Sequence, residues 1–213
     1  MNVLLYPTYF PSIASFAVLA QREVVWEASD NFQKQTYRNR CHICTDKGLH
    51  ALHVPIRHVG GKEGRQKYGE VATDNSYPWK KIHWRSLETA YRTSPFFEFY
   101  EDGLKPLFEG NEDSLFALNL QTIEAILDCL GMEAPTDFTQ QYDPQDRGHL
   151  DARFLVHAKG ELALEPHGFA PYTQVFGERH GFVPNLSVLD LLFNLGPQAL
   201  DYLKAQPLDF LDD

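Results

Sequence analysis

The chain has 213 residues with 19 Lys and Arg against 29 Asp and Glu, which gives a formal net charge of −10. The hydrophobic content of 43%, including 13% aromatic residues, indicates a folded globular protein rather than a disordered one. The acidic balance argues against nucleic acid as a partner, because proteins that follow a phosphate backbone carry a dominant basic field.

The chain lacks a run of about twenty apolar residues, so we predict no membrane span. Its first residues are apolar, but they lack the basic start of a signal peptide and are interrupted by Pro7 and Pro11. The odd number of cysteines, three, suits a reducing cytosol better than a disulfide framework. We therefore predict a soluble cytoplasmic protein.

The N-terminal pattern predicts a βαβ unit. An apolar run at 3–6 indicates a buried strand that ends at Pro7, and a second one follows at 24–26. Between them, Ser12 is a suitable N-cap for a helix with apolar residues at helical spacing. Ligands of such units bind at the carboxyl ends of the strands, so the predicted binding edge comprises residues 7–11 and 27–31.

A β-hairpin is predicted over residues 36–57, with its turn at 46–48. Alternation along an extended chain would place Arg38 and Arg40 on one face. The next segment, 58–69, is rich in glycine, and we interpret it as a mobile loop or lid.

Helices are predicted from Pro78 to the Ser94-Pro95 step, over 96–107, and over 113–130 with a stop at Gly131. Residues 135–184 are irregular, with short strands expected near Phe138 and Ala152. Ser187 and Asp190 form a capping-box pattern before a helix at 188–195, and a last helix follows Pro197.

The predicted fold class is therefore α/β: an N-terminal βαβ unit with an added β-hairpin, followed by a mainly helical half with short strands. We expect one domain over 1–213, with an α/β part at about 1–77, a helical part at about 78–131 and an irregular, then helical part at about 132–213.

The basic residues are concentrated in one stretch. Residues 34–92 hold twelve Lys and Arg against five Asp and Glu, and the run 34–41 contains Lys34, Arg38 and Arg40 without an acid. Arginine suits carboxylate and phosphate because its planar fork forms two parallel hydrogen bonds. This stretch would attract an anionic small molecule. The alternative is that these cations neutralise the acid-rich C-terminal half.

Cys41, Cys44, His50 and His53 spell a C-x2-C-x5-H-x2-H pattern that invites a zinc interpretation. The two pairs are closer together than in common zinc motifs, and alternation along a strand turns positions 41 and 44 to opposite faces. We therefore interpret them as core cysteines and hairpin histidines, and we predict no metal site.

His83 lies at the edge of the predicted helix face that contains Trp79. A neutral imidazole there is suited to act as general base, since histidine titrates nearest to neutral pH. The alternative is a capping or core histidine with satisfied hydrogen bonds. Nucleophile elbows, P-loops and dinucleotide fingerprints are absent from the sequence, and we predict no cofactor.

Four ordered blocks resemble the WbqC-like family, bacterial proteins often encoded in O-antigen and polysaccharide clusters. Residues 7–11 read Pro-Thr-Tyr-Phe-Pro, residues 31–40 read Asn-Phe-Gln-Lys-Gln-Thr-Tyr-Arg-Asn-Arg, and the third block, 79–97, begins Trp-Lys-Lys-Ile-His-Trp-Arg. The fourth block extends from 172 to 194. The chain departs from the family pattern in two places: the first helix has Ala14-Ser15-Phe16 where many relatives have a Gly-Tyr or similar pair, and residues 132–170 are too short for the second α/β stretch of longer relatives. The resemblance is therefore closer to a compact branch of the family.

The resemblance implies a transferase in surface-glycan assembly, with transfer of glycine or another amino acid onto a sugar amine as a proposal. We expect the donor to be an anionic small molecule, such as a sugar nucleotide or an activated amino acid. The residues assigned to bind it are Lys34, Arg38 and Arg40, with Tyr9 and Asn39 to orient it, and His83 would accept a proton from the attacking amine or hydroxyl. The competing hypothesis is a non-catalytic binding or scaffold protein of a glycan pathway. The sequence does not determine the oligomeric state.

Overall fold

The computed structural model of the protein describes residues 1–57, 66–158 and 168–211. Most of the glycine-rich segment interpreted as a loop or lid, 58–65, lies outside these ranges. The end of that segment is described: Lys67 pairs with Asn31 in an isolated bridge, and a 3-10 turn follows at Tyr68–Glu70.

The described residues form a mixed α/β structure, which confirms the predicted fold class. The strands are β1 (Val3–Leu5), β2 (Val24–Trp26), β3 (Arg40–Thr45), β4 (Gly48–His53), β5 (Asp137–Phe138) and β6 (Leu150–Asp151). The helices are α1 (Ile13–Gln21), α2 (Trp79–Tyr91), α3 (Phe97–Leu104), α4 (Leu115–Leu130), α5 (Gly177–His180), α6 (Val188–Leu195) and α7 (Ala199–Lys204).

The main sheet has the strand order β5-β2-β1-β6, and all three pairings are parallel. The β1–α1–β2 segment is the predicted βαβ unit, and the Ser12 hydroxyl caps α1 by accepting from the Ser15 N–H at 3.4 Å. The two-residue strands β5 and β6 come from the irregular region, close to the predicted positions. Because all four strands are parallel, their carboxyl ends lie at one edge of the sheet.

The hairpin of β3 and β4 is antiparallel and forms a separate two-stranded sheet. Its strands are shorter than predicted, because residues Tyr37–Asn39 form a 3-10 turn before β3 begins. The prediction that Arg38 and Arg40 share one face of an extended strand is therefore wrong. A 3-10 turn repeats every three residues rather than every two, so the two side chains leave the backbone in different directions.

Asn119, a residue of α4, fixes the position of this 3-10 turn. The Asn119 side-chain amide donates to the Arg38 carbonyl at 2.7 Å, and it also reaches the Tyr68 hydroxyl. Tyr68 in turn donates to the Pro7 carbonyl. Asn119 and Tyr68 are fully buried, so these polar groups need partners, and α4 thereby joins the end of β1 to the start of the hairpin.

The capping box predicted before α6 forms only in part. The Ser187 hydroxyl accepts from the Leu189 N–H, but the Ser187 N–H donates to the His42 carbonyl of the hairpin rather than to Asp190. The buried Asp190 carboxylate instead accepts from the hydroxyls of Tyr91 and Tyr172, at 2.9 and 2.5 Å. The Ser187 N–H and the Asp190 carboxylate, which would bond to each other in a local capping box, thus bond to residues distant in the sequence.

The hydrophobic core packs α1, α2, α4 and α6 against the sheet and the hairpin. Within the described ranges, no helix combines the length and apolar character required to cross a lipid bilayer.

Candidate functional site

Cationic and hydroxyl-bearing side chains gather at the base of the hairpin, in a cluster that we call the hairpin site. Its members are Arg40, His42, His53 and His83 together with Tyr9, Tyr37 and Asn39. Two features of β structure assemble its centre. Arg40 and His42 are two residues apart on β3 and share one face of the strand, and the antiparallel register places His53 directly opposite Arg40.

Arg40 is the central charge of the hairpin site. Burial lowers its pKa, and its Nε atom is buried without a hydrogen-bond partner among the described residues. Arg40 is half-buried, and no Asp or Glu of the described ranges forms an ion pair with it. The site therefore has a positive charge that the surrounding described residues do not neutralise.

The neighbouring imidazoles are kept neutral by burial first and by Arg40 second. Burial, followed by the electrostatic effects of Arg40 and His53, lowers the pKa of His42 to about 4. The pKa of His53 is lowered by burial first and then by Arg40 and His50. The Tyr37 hydroxyl lies 3.3 Å from Nδ1 of His42. His42 is thus neutral at pH 7 beside a guanidinium, an arrangement that an anion would stabilise.

His83 and Tyr9 form the second part of the hairpin site. The Tyr9 hydroxyl lies 3.0 Å from Nδ1 of His83, and the His53 carbonyl also faces the His83 ring. Both Tyr9 and His83 are almost fully buried, and the Trp79 ring packs edge-on against the imidazole with its centroid 5.0 Å away. Burial lowers the pKa of His83 to about 4 and raises the pKa of Tyr9 well above its ordinary value. The pair is therefore a neutral imidazole beside a neutral phenol.

The pKa of His83 leads to a testable pH dependence. The folded-state pKa, about 4, is below the unfolded value of about 6.5, so the unfolded chain binds the extra proton between these two pH values. We expect the free energy of unfolding to rise with pH through this window, with up to about 3 kcal/mol due to His83. His83→Gln should remove that part of the slope, as measured by urea unfolding at pH 4.5 and 7.

The exposed His50 provides the matched control for this measurement, as His50→Gln. An unchanged pH dependence in His83→Gln would show that the imidazole is not held neutral by the fold.

The predicted site residues divide into three groups. Tyr9, Asn39, Arg40 and His83 come together in the hairpin site, where the Asn39 amide donates to the Val54 carbonyl at 3.0 Å and its Oδ1 is buried without a partner among the described residues. Arg38 is fully buried elsewhere and pairs with Asp30 at 3.0 Å.

Lys34 is exposed and forms no ion pair with an acid of the described ranges. The basic run therefore does not act as one surface. A single turn at Tyr37–Asn39 sends Arg38 and Arg40 to different neighbours.

Three members of the hairpin site were not predicted as site residues: Tyr37, His42 and His53. His42 could have been predicted from its spacing, because residues two apart on a strand share a face and His42 is two residues from Arg40. Finding His53 also requires the hairpin register, which depends on the turn geometry. The cysteines of the zinc-like pattern are free thiols, and within the described residues no three or more His, Cys, Asp or Glu side chains are arranged to hold a metal ion.

The fold and the hairpin site define an α/β protein in which Arg40, unpaired with any acid of the described residues, lies among neutral imidazoles. The chain belongs to the WbqC-like protein family, whose model matches residues 6–168 and 161–202. It is also similar to a protein of Mycobacterium tuberculosis named "Uncharacterized protein Rv1507c", with 30% identity over 199 residues covering 81% of this chain and 84% of the relative. No solved structure matches the chain significantly. Membership of this family suggests a role in biosynthesis.

Proposed function

We propose that the protein is a group-transferase of bacterial surface polysaccharide or O-antigen biosynthesis that binds an anionic donor at the hairpin site. The transferred group would be glycyl, another aminoacyl or a related group, and the acceptor a sugar. The observation that supports this most directly is the half-buried Arg40, which lies among neutral imidazoles without a carboxylate partner in the described ranges. A bound phosphate or carboxylate would supply the missing counter-charge.

In this proposal Arg40 binds the anionic group of the donor. His42 and His53 lie close enough to Arg40 for its charge to lower their pKa values. As neutral imidazoles, each keeps one N–H that can donate to an anionic oxygen. Asn39 is a positioning residue in this proposal, because its side-chain amide ties the start of β3, next to Arg40, to the Val54 carbonyl at 3.0 Å. Fixed donors aimed at a charged group generally supply a large share of the catalysis of group transfer.

His83 is proposed to accept the proton of the attacking amine or hydroxyl. With a pKa of about 4 the imidazole is a weak base in the free protein. A negative charge bound beside Arg40 and His53 would stabilise the imidazolium, so donor binding would raise the pKa of His83 and make it a stronger base. Tyr9 is a positioning residue in this scheme, because its hydroxyl holds the ring at Nδ1.

The proposal is tested by measuring the histidine pKa values with and without an anion. Burial is the main cause of the low pKa values of His42 and His53, and the charge of Arg40 is the second. We expect saturating inorganic pyrophosphate to raise both pKa values, because the anion offsets the part that is due to Arg40. The measurement is a pH titration of the imidazole signals by NMR. Unchanged pKa values at saturating pyrophosphate would remove the support for an anion site at this position.

A thermal-shift screen then separates a transferase from a scaffold protein. Ligands stabilise the state that they bind, so nucleotide sugars or non-hydrolysable aminoacyl-adenylate analogues should raise the melting temperature if the hairpin site takes a donor. Stabilisation by a protein of the same gene cluster and by none of these donors would favour the scaffold hypothesis. Arg40→Ala should abolish a donor-dependent shift and leave a partner-dependent one.

A further inference from the structure

A cavity lies at the carboxyl edge of the parallel sheet, and we call it the sheet-edge pocket; no residue of the hairpin site lines it. It has a volume of about 330 Å³ and is lined by residues that include Tyr6, Gln33, Arg38, Tyr142, Asp151 and Arg153. Tyr6 directly follows β1 and Asp151 ends β6, so the cavity opens where ligands of parallel α/β sheets usually bind. Its volume is at the lower end of the range for small-molecule sites.

The lining of the sheet-edge pocket holds two guanidiniums and one carboxylate, and two further carboxylates, of Glu27 and Asp30, are buried behind it. Two guanidiniums, of Arg38 and Arg153, are surrounded by the carboxylates of Glu27, Asp30 and Asp151. Arg38 pairs with Asp30 and stacks on the Tyr6 ring, with its guanidinium carbon 3.8 Å from the ring centroid. This leaves one unneutralised negative charge among the five groups.

Arg153 is fully engaged and holds Asp151 in place. Its Nε and Nη2 donate to the two oxygens of Asp151 at 2.9 and 2.7 Å, and its Nη1 donates to the Asp143 carbonyl at 2.7 Å. Burial alone would raise the pKa of Asp151, but the hydrogen bonds and the charge of Arg153 lower it below the ordinary value. The carboxylate is therefore ionised and fixed in orientation.

Exposure shows which of these charges a ligand can reach. The side chains of Arg38, Asp30, Glu27 and Arg153 are between 0% and 8% exposed, whereas that of Asp151 is 43% exposed. A carboxylate accepts up to about four hydrogen bonds. Asp151 accepts two from the Arg153 side chain and one from the Arg153 backbone N–H at 2.9 Å, so it keeps room for one more. The Tyr142 ring, 40% exposed, forms an aromatic wall beside it.

We propose that the sheet-edge pocket binds a small molecule that carries a primary ammonium group, with Asp151 as the acceptor of that group. The five paired groups in and behind the pocket wall sum to one negative charge, which favours a cation, and Asp151 is the one carboxylate among them that is open to solvent. Tyr142 packs against the body of the ligand, and Arg153 is a positioning residue that orients Asp151. This site does not depend on the proposed function of the hairpin site.

Matched pairs of probes test the role of the ammonium group. Glucosamine is compared with glucose, and glycine with glycolate, by chemical-shift titration of the 15N-labelled full-length protein. We expect at least one ammonium compound to bind about tenfold or more tightly than its partner, the usual gain from a charge-assisted hydrogen bond, and to perturb the amides of Tyr142 and Asp151. The pair that responds distinguishes an amino sugar from an amino acid as the source of the ammonium group.

The variant Asp151→Asn should weaken binding of that probe about tenfold, because it keeps an acceptor but removes the charge. Since Asp151 also pairs with Arg153, Tyr142→Ala serves as a second variant that leaves this ion pair in place, and Asp102→Asn is an exposed control outside the pocket. Equal binding within both pairs, absence of binding by all four probes, or an Asp151→Asn protein that is folded and binds as before would overturn the proposal. None of these outcomes bears on the histidine titration at the hairpin site.

Discussion

Arg40→Ala is expected to weaken the binding of phosphorylated sugar donors by about 10- to 100-fold, the range for losing a charge-assisted hydrogen-bonding partner. The melting temperature of the free protein should change little, because Arg40 has no carboxylate partner among the described residues and its removal breaks no ion pair there. Affinity is measured by calorimetry with the donor that gives the largest shift in the thermal screen.

Arg40→Lys and Arg92→Ala are the matched controls. Lysine keeps the charge but loses the planar fork, so an intermediate affinity would show that hydrogen-bond geometry contributes beyond charge. Arg92 is exposed and pairs with Glu88 on the surface of α2, so removing it changes the net charge equally without affecting the hairpin site. Donor affinity that is the same in Arg40→Ala and wild type would exclude Arg40 as the donor-binding residue.

Arg38→Ala is expected to reduce the free energy of unfolding by about 3–5 kcal/mol, the usual cost of removing one partner of a buried ion pair. The arginine side chain is fully buried against Asp30, and it also stacks between the rings of Tyr6 and Tyr68. Its loss would leave a buried carboxylate without its guanidinium and would leave a cavity. Urea unfolding followed by circular dichroism measures the change.

A double variant separates the charge from the packing in this prediction. Arg38→Met with Asp30→Leu replaces the pair by apolar groups of similar volume, which often restores much of the lost stability. Arg92→Ala should cost less than about 1 kcal/mol, since surface ion pairs contribute little. A loss in Arg38→Ala as small as that in Arg92→Ala would show that the Arg38–Asp30 pair does not support the fold.

The sequence predicted those elements of the fold that depend on residues close together in the chain. The predicted helix cap at Ser12 is confirmed, because a hydroxyl next to a helical pattern satisfies an N–H of the first turn. The stop at Gly131 holds because the residue adopts a left-handed conformation, with φ of 68°. The βαβ unit and the hairpin are likewise local in sequence.

The candidate site was predictable only in part. Tyr9, Asn39, Arg40 and His83 were predicted from residue chemistry, and the structure brings them together. The separation of Arg38 from Arg40 was not predicted, because it results from a three-residue 3-10 turn that α4 holds through Asn119. The hydrogen bonds from Tyr91 and Tyr172 to Asp190 were not predicted either, because the two tyrosines lie 99 and 18 residues from Asp190 in the chain.

Residue chemistry and local periodicity were enough to indicate the fold class, most helix ends and the excess of positive charge around residues 34–92. Tertiary structure alone decided which cation is neutralised. Arg38 pairs with Asp30 in the interior, whereas Arg40 lies near Tyr37, His42 and His53 and forms no ion pair with an acid of the described residues. The physical reason is that ion pairing depends on distances of a few ångströms between groups far apart in sequence, and packing of the core sets those distances.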